Sequence, residues 1–524
     1  MRSTPLARWI SLGLAAAGGV VTDLGFPGAN LWPLAFVGVA LLAVALRIDS
    51  ARWNALVGLV WGLAFFLPHI SWTADATDTV PWVALSTLEA LFPLAFGVLW
   101  TWARRGTVIW RSPSLQVLGF GLVWTAVEEV RAVAPFGGFP WGRLAFSQSD
   151  SPLARLAWLG GTPLLSVVVA ATGAALALAV VGAVRLRPAH LATGLVTVLA
   201  VTGVAFAIPL DSRAEDGALR AGIVQGDVDR RPGAVLEHQE WVLANHVAGI
   251  DALVQDAQAS PVDVALLPEN VTSLDLDHAP ALAAMVDGAA RRIGAPVLLG
   301  TVSYPPGGGR YNLAELWVPG AGVTQRYAKQ RPAAFGEFMP LRSVLRVFSA
   351  QVDRVQTDMI AGVEPAVVVL DAGVLGRPVT LGTIICFEVA YDAIVRDSVR
   401  NGAEVLVVQT NNASFGMSDE STQQLAMSRL RAIETGRTTV QISTVGVSAV
   451  ISPSGVLRWT TDLFTADQTI ASLPLRTSLT PAVRFGGAVA LSVCALGLVV
   501  VVAGAAGARR VRRPGRSETL GEMA

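Results

Sequence analysis

The stretch 379–391 has the sequence VTLGTIICFEVAY, and it indicates how the second half of this chain folds. Its first part is a run of β-branched and apolar residues, which is typical of a buried strand. The run ends at Cys386, and a helix-compatible segment begins at about Tyr391. A cysteine in a turn between a strand and a helix lies at a sheet edge, where backbone N–H groups favour the thiolate. Two interpretations stay open at this point, a nucleophile and a small core residue, because free cysteines are usually buried.

Similar strand-like runs surround this stretch and alternate with amphipathic helical patterns. Alternation of this kind is typical of a sheet covered by helices, so we predict a layered α/β domain over residues 211–478. The predicted strands are residues 219–225, 262–267, 296–302, 313–318, 324–327, 366–370, 379–385, 404–409, 439–443 and 448–451. The predicted helices are residues 236–255, 280–293 and 421–435.

The whole chain of 524 residues is unusually apolar, with 52% hydrophobic residues and a mean hydropathy of +0.53. A soluble globular protein carries fewer apolar residues, so we expect part of the chain to lie in a lipid bilayer. The formal net charge of zero argues against a nucleic-acid-binding protein. The second of the two cysteines, Cys494, lies in an apolar run, so we expect no disulfide and a free thiol at Cys386.

Eight apolar stretches are candidates for membrane-spanning helices: residues 7–24, 29–46, 53–72, 81–103, 115–127, 160–184, 191–210 and 485–507. Most of them reach the ~20 residues that a spanning helix needs, although 115–127 is short. The sequence therefore predicts a polytopic α-helical membrane protein of about eight spans that carries the α/β domain. Its expected parts are a membrane domain of about seven helices over residues 1–210, a C-terminal helix over residues 479–507 and a basic tail over residues 508–524.

The distribution of arginine predicts the orientation of these spans. Arginines occur at the N-terminus, after each even-numbered span and beyond the eighth, whereas the loops 25–28 and 73–80 contain neither Lys nor Arg. By the positive-inside rule the arginine-rich segments face the cytoplasm, so the α/β domain is expected outside. The loop 131–158 is also external in this arrangement, although its three arginines argue against that placement.

The same loop contains PFGGFPWGRLAFSQ, in which Phe139, Trp141 and Phe146 are candidates for a wall that faces lipid or substrate. An ordinary aromatic belt at the membrane interface is the alternative.

Glu89 lies within the fourth apolar stretch, where a carboxylate is costly unless it faces protein or water, so it is either functional or part of a structural hydrogen bond. Residues 341–362 are typical of a surface loop, either a mobile lid or a plain connection.

Lys329 is the only lysine among 39 basic residues. A lysine ammonium is a compact charge, so a site that needs such a charge at a developing oxyanion cannot use arginine instead. Chance survival of one solvated lysine is the alternative.

Glu269 ends a strand in ALLPENV, where α/β sheets hold catalytic residues and where a glutamate also serves as a cap. Glu337 and Glu388 supply further carboxylates that orient the lysine, hold the base or form a salt bridge.

A glutamate, a lysine and a cysteine near strand ends match the requirements of thiol acyl transfer. Glu269 is the candidate general base, Cys386 the nucleophile, and Lys329 with backbone N–H groups the oxyanion stabiliser. Other chemistries lack support in the sequence. The five histidines show no HExxH or paired Cys/His spacing, and no glycine-rich phosphate loop follows a strand. We therefore expect neither a metal nor a cofactor.

Four motifs, LLPENV, YAKQRPAAFGEF, GTIICFEVAYD and NNASFG, occur in this order and resemble the carbon-nitrogen hydrolase (nitrilase) superfamily. With the apolar stretches and the GFPWGRLAFSQ loop, the chain is similar to the membrane-anchored apolipoprotein N-acyltransferases over residues 1–510. The resemblance implies a four-layer αββα sandwich standing on the membrane. The family's base, oxyanion lysine and nucleophile fall on Glu269, Lys329 and Cys386. Its supporting carboxylates fall on Glu337 and Glu388.

The reaction that this resemblance implies is a ping-pong transfer. A phospholipid gives a fatty acyl chain to Cys386 as a thioester, and the N-terminal amine of a diacylglyceryl-modified lipoprotein then receives it as an amide. The implied partners are the phospholipid donor, the diacylated lipoprotein acceptor and the bilayer, with no nucleic acid. The implied location is the bacterial cytoplasmic (inner) membrane, with the catalytic domain on its periplasmic face. Ala328, Ser414 and the segment 444–445 differ from residues common in the family, which leaves the acyl-chain preference open.

Two other functions are compatible with parts of this pattern. A membrane-tethered amidase would use the same three residues to hydrolyse small amides or nitriles, but it would leave the spans and the aromatic loop unexplained. A non-catalytic scaffold would present lipids or lipoproteins through the basic tail, but it would not need Glu269, Lys329 and Cys386.

Overall fold

The computed structural model describes residues 7–106, 109, 112–228, 239–259, 261–347, 352–353, 355–371 and 375–511. Helices form the N-terminal part of the chain: α1 (Arg8–Asp23), α2 (Pro33–Ala45), α3 (Ala51–His69), α4 (Trp72–Ala76), α5 (Thr79–Ala103), α6 (Pro113–Arg131), α7 (Ala157–Val184) and α8 (Pro188–Ala207). Two short 3-10 helices, Leu144–Gln148 and Pro152–Leu156, lie between α6 and α7.

Among the described residues, five apolar helical stretches are long enough to cross a bilayer by length and composition: Ala51–His69, Thr79–Ala103, Pro152–Val184, Pro188–Ala207 and Pro481–Gly507. The helices α1 and α2 have only 16 and 13 residues. Helix α6 carries Glu128 and Glu129 near its C-terminal end. Five of the eight predicted spans therefore meet this criterion, and the other three stay predictions.

Small residues let α3 and α5 approach closely. A Cβ atom on Gly58 would lie 2.1 Å from the carbonyl oxygen of Pro93, and one on Gly97 would lie 2.1 Å from that of Asn54. Both distances are far below van der Waals contact, so neither glycine tolerates a side chain. Packing through small residues is typical of helices that associate within a bilayer, where the hydrophobic effect does not drive them together.

The region between α8 and the C-terminal helix contains two six-stranded sheets within the described residues. Its strands are β1 (Ala218–Gln225), β2 (Val264–Leu266), β3 (Val297–Ser303), β4 (Tyr311–Val318), β5 (Gly322–Ala328), β6 (Val367–Leu370), β7 (Val379–Ile385), β8 (Val405–Thr410), β9 (Thr438–Ser443), β10 (Ala449–Ile451), β11 (Leu457–Thr460) and β12 (Asp467–Pro474). The strand orders are β12-β1-β2-β3-β4-β5 and β11-β10-β9-β8-β7-β6. Strands β1 to β3 and β7 to β9 are parallel, and the remaining pairs are antiparallel.

The helices of this region are α9 (Gln239–Ala259), α10 (Pro280–Ile293), α11 (Arg342–Leu345), α12 (Asp392–Arg400) and α13 (Glu420–Thr435), followed by the C-terminal α14 (Pro481–Val511). All ten predicted strands are confirmed, as are the predicted helices at α10 and α13 and the described part of the predicted helix at α9, whose residues 236–238 lie outside the described residues. The patterns do not predict β11 and β12, because these edge strands are mixed in polarity and partly exposed. Of the predicted loop 341–362, residues 348–351 and 354 lie outside the described residues, and so does the tail from residue 512.

Four layers result from the way in which the sheets bury their two faces. Alternate residues of β1 show the pattern: Leu219, Ala221 and Ile223 belong to the core shared by the two sheets, whereas Val224 belongs to the core beneath α9 and α10. Helices α12 and α13 pack against β7 and β9 of the second sheet. The predicted αββα sandwich is therefore present.

The layer formed by α12 and α13 also joins the sandwich to the helices of the N-terminal part. Helix α13 contacts α7 and both 3-10 turns, and α12 contacts α14. A buried ion network strengthens this junction, in which Asp392 pairs with Arg143 (2.9 Å) and Arg431 (2.6 Å) and accepts a hydrogen bond from Thr162 (2.8 Å). Arg431 also donates to the carbonyl oxygen of Val389 at 2.8 Å. The segment that follows Cys386 is thereby held against the helices of the N-terminal part.

Candidate functional site

Cys386 lies at the end of β7, as the sequence predicts. Its φ of 53° is in the left-handed region, so the chain turns sharply there and continues as a 3-10 helix, Cys386–Ala390, before α12 begins. Strand β7 is parallel to β8, so this turn lies at the carboxyl ends of the parallel strands, where ligands bind in open α/β sheets. A side chain on such a turn is well placed to meet a substrate.

Glu269 follows β2 in the other sheet and reaches the same edge. Its Oε2 accepts a hydrogen bond from the backbone N–H of Asn411, just beyond β8, at 2.8 Å. Its Oε1 accepts one from the side-chain amide of Asn312 at 2.6 Å. Only 3% of Glu269 is exposed. The carboxylate is therefore fixed between the two sheets by one donor from each of them.

Lys329 follows β5 and is 1% exposed. Its Nζ lies 2.7 Å from Oε1 of Glu337 and 3.3 Å from Oε1 of Glu269. Burial by itself lowers the pKa of this ammonium, but the two carboxylates, with a contribution from Cys386, raise its pKa well above the ordinary lysine value. The only lysine of the chain is therefore a charged, enclosed ammonium rather than a solvated one.

Glu337 completes this contact from the loop after β5. Its second oxygen, Oε2, accepts a hydrogen bond from the backbone N–H of Ala333 at 2.6 Å, which closes the loop on itself. The lysine, the base candidate and Glu337 thus form a chain of alternating charge. Each charge in this chain has a partner, which is the condition for burying ions without a large penalty.

Glu388 is fully buried, and its carboxylate binds backbone N–H groups and one hydroxyl. Its carboxylate accepts hydrogen bonds from the N–H groups of Gln330 (2.6 Å), Arg331 (3.1 Å) and Ile385 (2.9 Å) and from the hydroxyl of Tyr327 (2.9 Å). These donors flank Lys329 on one segment and precede Cys386 on the other. The side chain therefore ties the lysine segment to the cysteine turn.

The surroundings of Cys386 favour its neutral thiol in the resting protein. Burial raises the pKa of this thiol, the negative charge of Glu269 raises it further, and Lys329 only partly offsets them. A thiol of this kind needs a base to remove its proton as it attacks. Lys329 lies 3.3 Å from Glu269, and Glu388 joins the segment after Lys329 to the residue before Cys386, so the three predicted residues lie at one edge of the two sheets.

The aromatic loop contacts the cysteine turn directly. Phe387 stacks on Phe139 and on Trp141, with ring centroids 5.6 Å and 5.8 Å apart. Trp141 and Phe146 are each 1% exposed, because Phe387 covers the first and Arg431 lies over the second, whereas Phe139 stays half-buried. Of the three predicted wall residues, only Phe139 is accessible. The prediction that Trp141 and Phe146 face lipid or substrate is not met, because both side chains are buried within the protein.

Glu89 forms a structural hydrogen bond, which is one of the two interpretations that its sequence position allows. Its carboxylate accepts a hydrogen bond from the guanidinium of Arg131 at 3.1 Å. The same guanidinium donates to the carbonyl oxygens of Phe139 (2.7 Å) and Trp141 (2.6 Å). Glu89 therefore helps to fix the aromatic loop from within the helices.

Several residues of the site are not predicted from the sequence. The side-chain amide of Asn312 and the backbone N–H of Asn411 hold the carboxylate of Glu269, and the position of Asn411 directly after the buried strand β8 is the signal that could have indicated it. Glu420 is 2% exposed and accepts a hydrogen bond from the amide of Asn412 at 2.5 Å; burial raises the pKa of its carboxyl to about 8. No spacing in the sequence marks Glu420, because its proximity to the site depends on the packing of α13.

The side chains that the structure describes form no group of three or more His, Cys, Asp and Glu residues that could hold a metal ion. The site thus consists of ion pairs and hydrogen bonds around a thiol. Such an arrangement can remove a proton from the thiol, offer it to a carbonyl carbon and stabilise the oxyanion that forms.

Comparison with known proteins covers both parts of the chain. Residues 18–175 match the family described as apolipoprotein N-acyltransferase N-terminal domain, and residues 220–478 match carbon-nitrogen hydrolase. An apolipoprotein N-acyltransferase of Mycolicibacterium smegmatis is 34% identical over 95% of this chain and 85% of its own length. One of Azotobacter vinelandii is 31% identical over 87% of each chain. A crystal structure of an amidase from Nesterenkonia sp. superposes with a TM-score of 0.36 at 17% identity, over 53% of this chain and 96% of the amidase.

Proposed function

The chain belongs to the apolipoprotein N-acyltransferase family and is an acyltransferase that N-acylates lipoproteins; we propose that its acyl donor is a membrane phospholipid and that the acyl group passes through a thioester on Cys386. The observation that carries this proposal is the convergence of Glu269, Lys329 and Cys386 from three separate strand ends, in which Lys329 lies 3.3 Å from Glu269 and Glu388 ties the lysine segment to the cysteine turn. A base, an enclosed cation and a thiol are the three groups that such a transfer needs.

In the first half of the reaction, Glu269 takes the proton of the Cys386 thiol as the sulfur attacks the ester carbonyl carbon of the donor. The carbonyl oxygen becomes an oxyanion beside the ammonium of Lys329. Collapse of this intermediate breaks the ester C–O bond, and the leaving alkoxide takes the proton from Glu269. The products are a lysophospholipid and an acyl thioester, and Glu269 is again a carboxylate.

In the second half, the N-terminal amine of the diacylglyceryl-cysteine attacks the thioester carbonyl carbon. Glu269 accepts a proton from the nitrogen, and Lys329 again stabilises the oxyanion. The C–S bond then breaks, and the thiolate of Cys386 recovers the proton from Glu269. The amide product leaves the site as it was at the start, so one set of residues serves both substrates.

Glu337 and Glu388 act as supporting carboxylates in this scheme, each in a different way. Glu337 keeps the ammonium of Lys329 aimed between itself and Glu269. Glu388 holds the backbone on which Lys329 and Cys386 are mounted. Both functions depend on distances of less than 3 Å, so small shifts in either carboxylate change the position of a catalytic group.

For the membrane, we propose seven spans within residues 1–210, the catalytic domain over residues 211–478, an eighth span within residues 479–507 and a basic tail over residues 508–524. Exposed apolar side chains on the spanning helices support this division, such as Leu199 (71%) on α8 and Leu491 (74%) on α14. The arginine distribution supports a catalytic domain on the periplasmic face of the bacterial cytoplasmic membrane.

Phe139 and its neighbour Phe136, which is 41% exposed, form the accessible part of the aromatic loop beside the cysteine turn. We assign them to the wall along which the acyl chain of either substrate lies. Burial of a methylene group contributes roughly 0.8 kcal/mol, so an acyl chain leaves the bilayer only where it meets another apolar surface. A wall continuous with the membrane helices provides that surface.

Intact mass spectrometry of the purified full chain after incubation with phospholipid tests this proposal. We expect an adduct of one fatty acyl group on the wild type and on Cys494→Ala, the matched control that removes the other cysteine, and none on Cys386→Ala. Addition of a diacylglyceryl-cysteine peptide is expected to remove the adduct and to yield an N-acylated peptide. An adduct that persists in Cys386→Ala, or its absence from the wild type, would contradict the mechanism. Release of ammonia from small amides without any acyl adduct would indicate an amidase instead.

A further inference from the structure

Arg331 lies at the rim of the site, two residues after Lys329, and its side chain is exposed. Its backbone N–H donates to Oε1 of Glu388 at 3.1 Å, so the position of its backbone relative to the cysteine turn is fixed. An extended chain advances at most about 3.5 Å per residue, which places the Cα atoms of Lys329 and Arg331 within about 7 Å of each other. This is the length scale of a glycerol backbone.

The guanidinium of Arg331 forms no ion pair with a carboxylate of the residues that the structure describes. The nearby acidic side chains are engaged elsewhere, since Glu337 pairs with Lys329 and Glu388 binds backbone N–H groups. The guanidinium lies over the ring of Tyr391, whose centroid is 5.9 Å away. Arginine carries five N–H donors in a planar fork, so this side chain presents donors to a ligand.

The position of Tyr391 shows which side of the site Arg331 faces. The hydroxyl of Tyr391 donates to the carbonyl oxygen of Gly138 at 2.9 Å, within the aromatic loop and next to Phe139. Arg331 therefore lies beside the apolar wall and close to the enclosed ammonium. A molecule that enters from the bilayer along this wall meets the guanidinium as its reacting carbonyl reaches Cys386.

We infer that Arg331 is a specificity-determining residue that binds the phosphodiester of the donor phospholipid. This inference rests on the proposed function. A guanidinium fork matches two phosphate oxygens and forms charge-assisted hydrogen bonds to them. In a phospholipid the glycerol backbone separates the ester carbonyl from the phosphate, so a phosphate at Arg331 leaves the ester at Cys386 and Lys329. The diacylglyceryl-cysteine acceptor has no phosphate, so Arg331 acts in the first half of the reaction only.

The rate of thioester formation on Cys386 tests this assignment with two donors, phosphatidylglycerol in detergent micelles and a neutral p-nitrophenyl fatty ester that reacts without a headgroup. Arg331→Gln is expected to slow acylation by the phospholipid about tenfold to a hundredfold and to leave acylation by the neutral ester unchanged. The matched control is Arg291→Gln, which removes an exposed arginine (62%) on α10. We expect this control to match the wild type with both donors.

An equal loss with both donors would overturn the inference and make Arg331 a positioning residue of the lysine segment, and an unchanged rate with both would overturn it as well. Inorganic phosphate is not expected to slow the neutral-ester reaction; strong slowing that Arg331→Gln abolishes would indicate a site for free anions and overturn the lipid assignment. The proposed function fails separately, if the wild type accepts the neutral ester but forms no thioester from phospholipid.

Discussion

Replacing Glu388 by glutamine tests whether the backbone contacts of this side chain hold the site together. The substitution keeps the size of the side chain, but one of the two oxygens becomes an amide nitrogen, which cannot accept a hydrogen bond. In the structure Oε1 accepts from Gln330 and Arg331, and Oε2 accepts from Ile385. In either orientation of the amide, at least one backbone N–H that is buried or partly buried loses its acceptor.

A buried donor without a partner costs about 1–3 kcal/mol. If the lysine segment or the cysteine turn shifts to relieve this cost, the barrier to acylation rises by a similar amount, and each 1.36 kcal/mol is a factor of ten in rate. We therefore expect thioester formation in Glu388→Gln to be about tenfold to a hundredfold slower. The loss is expected with phospholipid and with a neutral ester alike, because Glu388 acts on the catalytic groups and not on the headgroup.

The assay is single-turnover thioester formation followed by intact mass, with thermal unfolding measured on the same samples. Glu215→Gln is the control, because the carboxylate of Glu215 also accepts two backbone N–H groups, those of Thr477 and Ser478 at 2.8 Å, and pairs with Arg476 at 2.6 Å. Glu215 precedes β1, whereas Cys386 follows β7, so the two residues lie at opposite ends of the parallel strands. We expect both variants to unfold at lower temperature and only Glu388→Gln to lose activity. A folded Glu388→Gln protein with the acylation rate of the wild type would refute the reasoning.

Two further substitutions test the shape of the cation at position 329 and the raised pKa of the carboxyl at position 420. Lys329→Arg is expected to lose about a hundredfold in thioester formation, since a guanidinium cannot occupy the enclosed space 2.7 Å from Glu337 and 3.3 Å from Glu269 while still reaching the oxyanion; near-normal turnover would contradict this. Glu420→Gln is expected to raise the unfolding temperature of the protein more at pH 8 than at pH 5. The carboxyl of Glu420 has a folded-state pKa of about 8, so between its unfolded pKa and pH 8 the folded state binds more protons than the unfolded state. The stability of the wild type therefore falls as pH rises, by at most about 1.4 kcal/mol per pH unit, and glutamine removes this dependence. A difference in unfolding temperature that does not change with pH would contradict the raised pKa of Glu420.

The strand-turn-helix sequence around Cys386 was predictable because it depends on local signals. A β-branched run predicts β7, and the strand ends where Cys386 takes a positive φ and the segment CFEVA forms a 3-10 turn. The same period-two and helical patterns predict the central strands of both sheets, since buried strands and amphipathic helices need continuous apolar faces. The edge strands β11 and β12 lack such faces, because solvent covers one side of them, and their pairing partners β10 and β1 are chosen by the tertiary fold.

The sequence by itself determined the chemical set of the site, because a thiol, a carboxylate and an ammonium near strand ends match the requirements of thiol acyl transfer, and each residue type is visible in the chain. Only the tertiary structure decided how these groups are used. It directs Glu337 to Lys329 and Glu388 to backbone N–H groups, one of which belongs to Gln330, 58 residues earlier in the chain. It also buries Trp141 and leaves Phe139 and Arg331 accessible. The physical reason is that hydrogen bonds and ion pairs require contact at about 3 Å, and contacts between residues far apart in the chain are set by how the two sheets and the membrane helices pack.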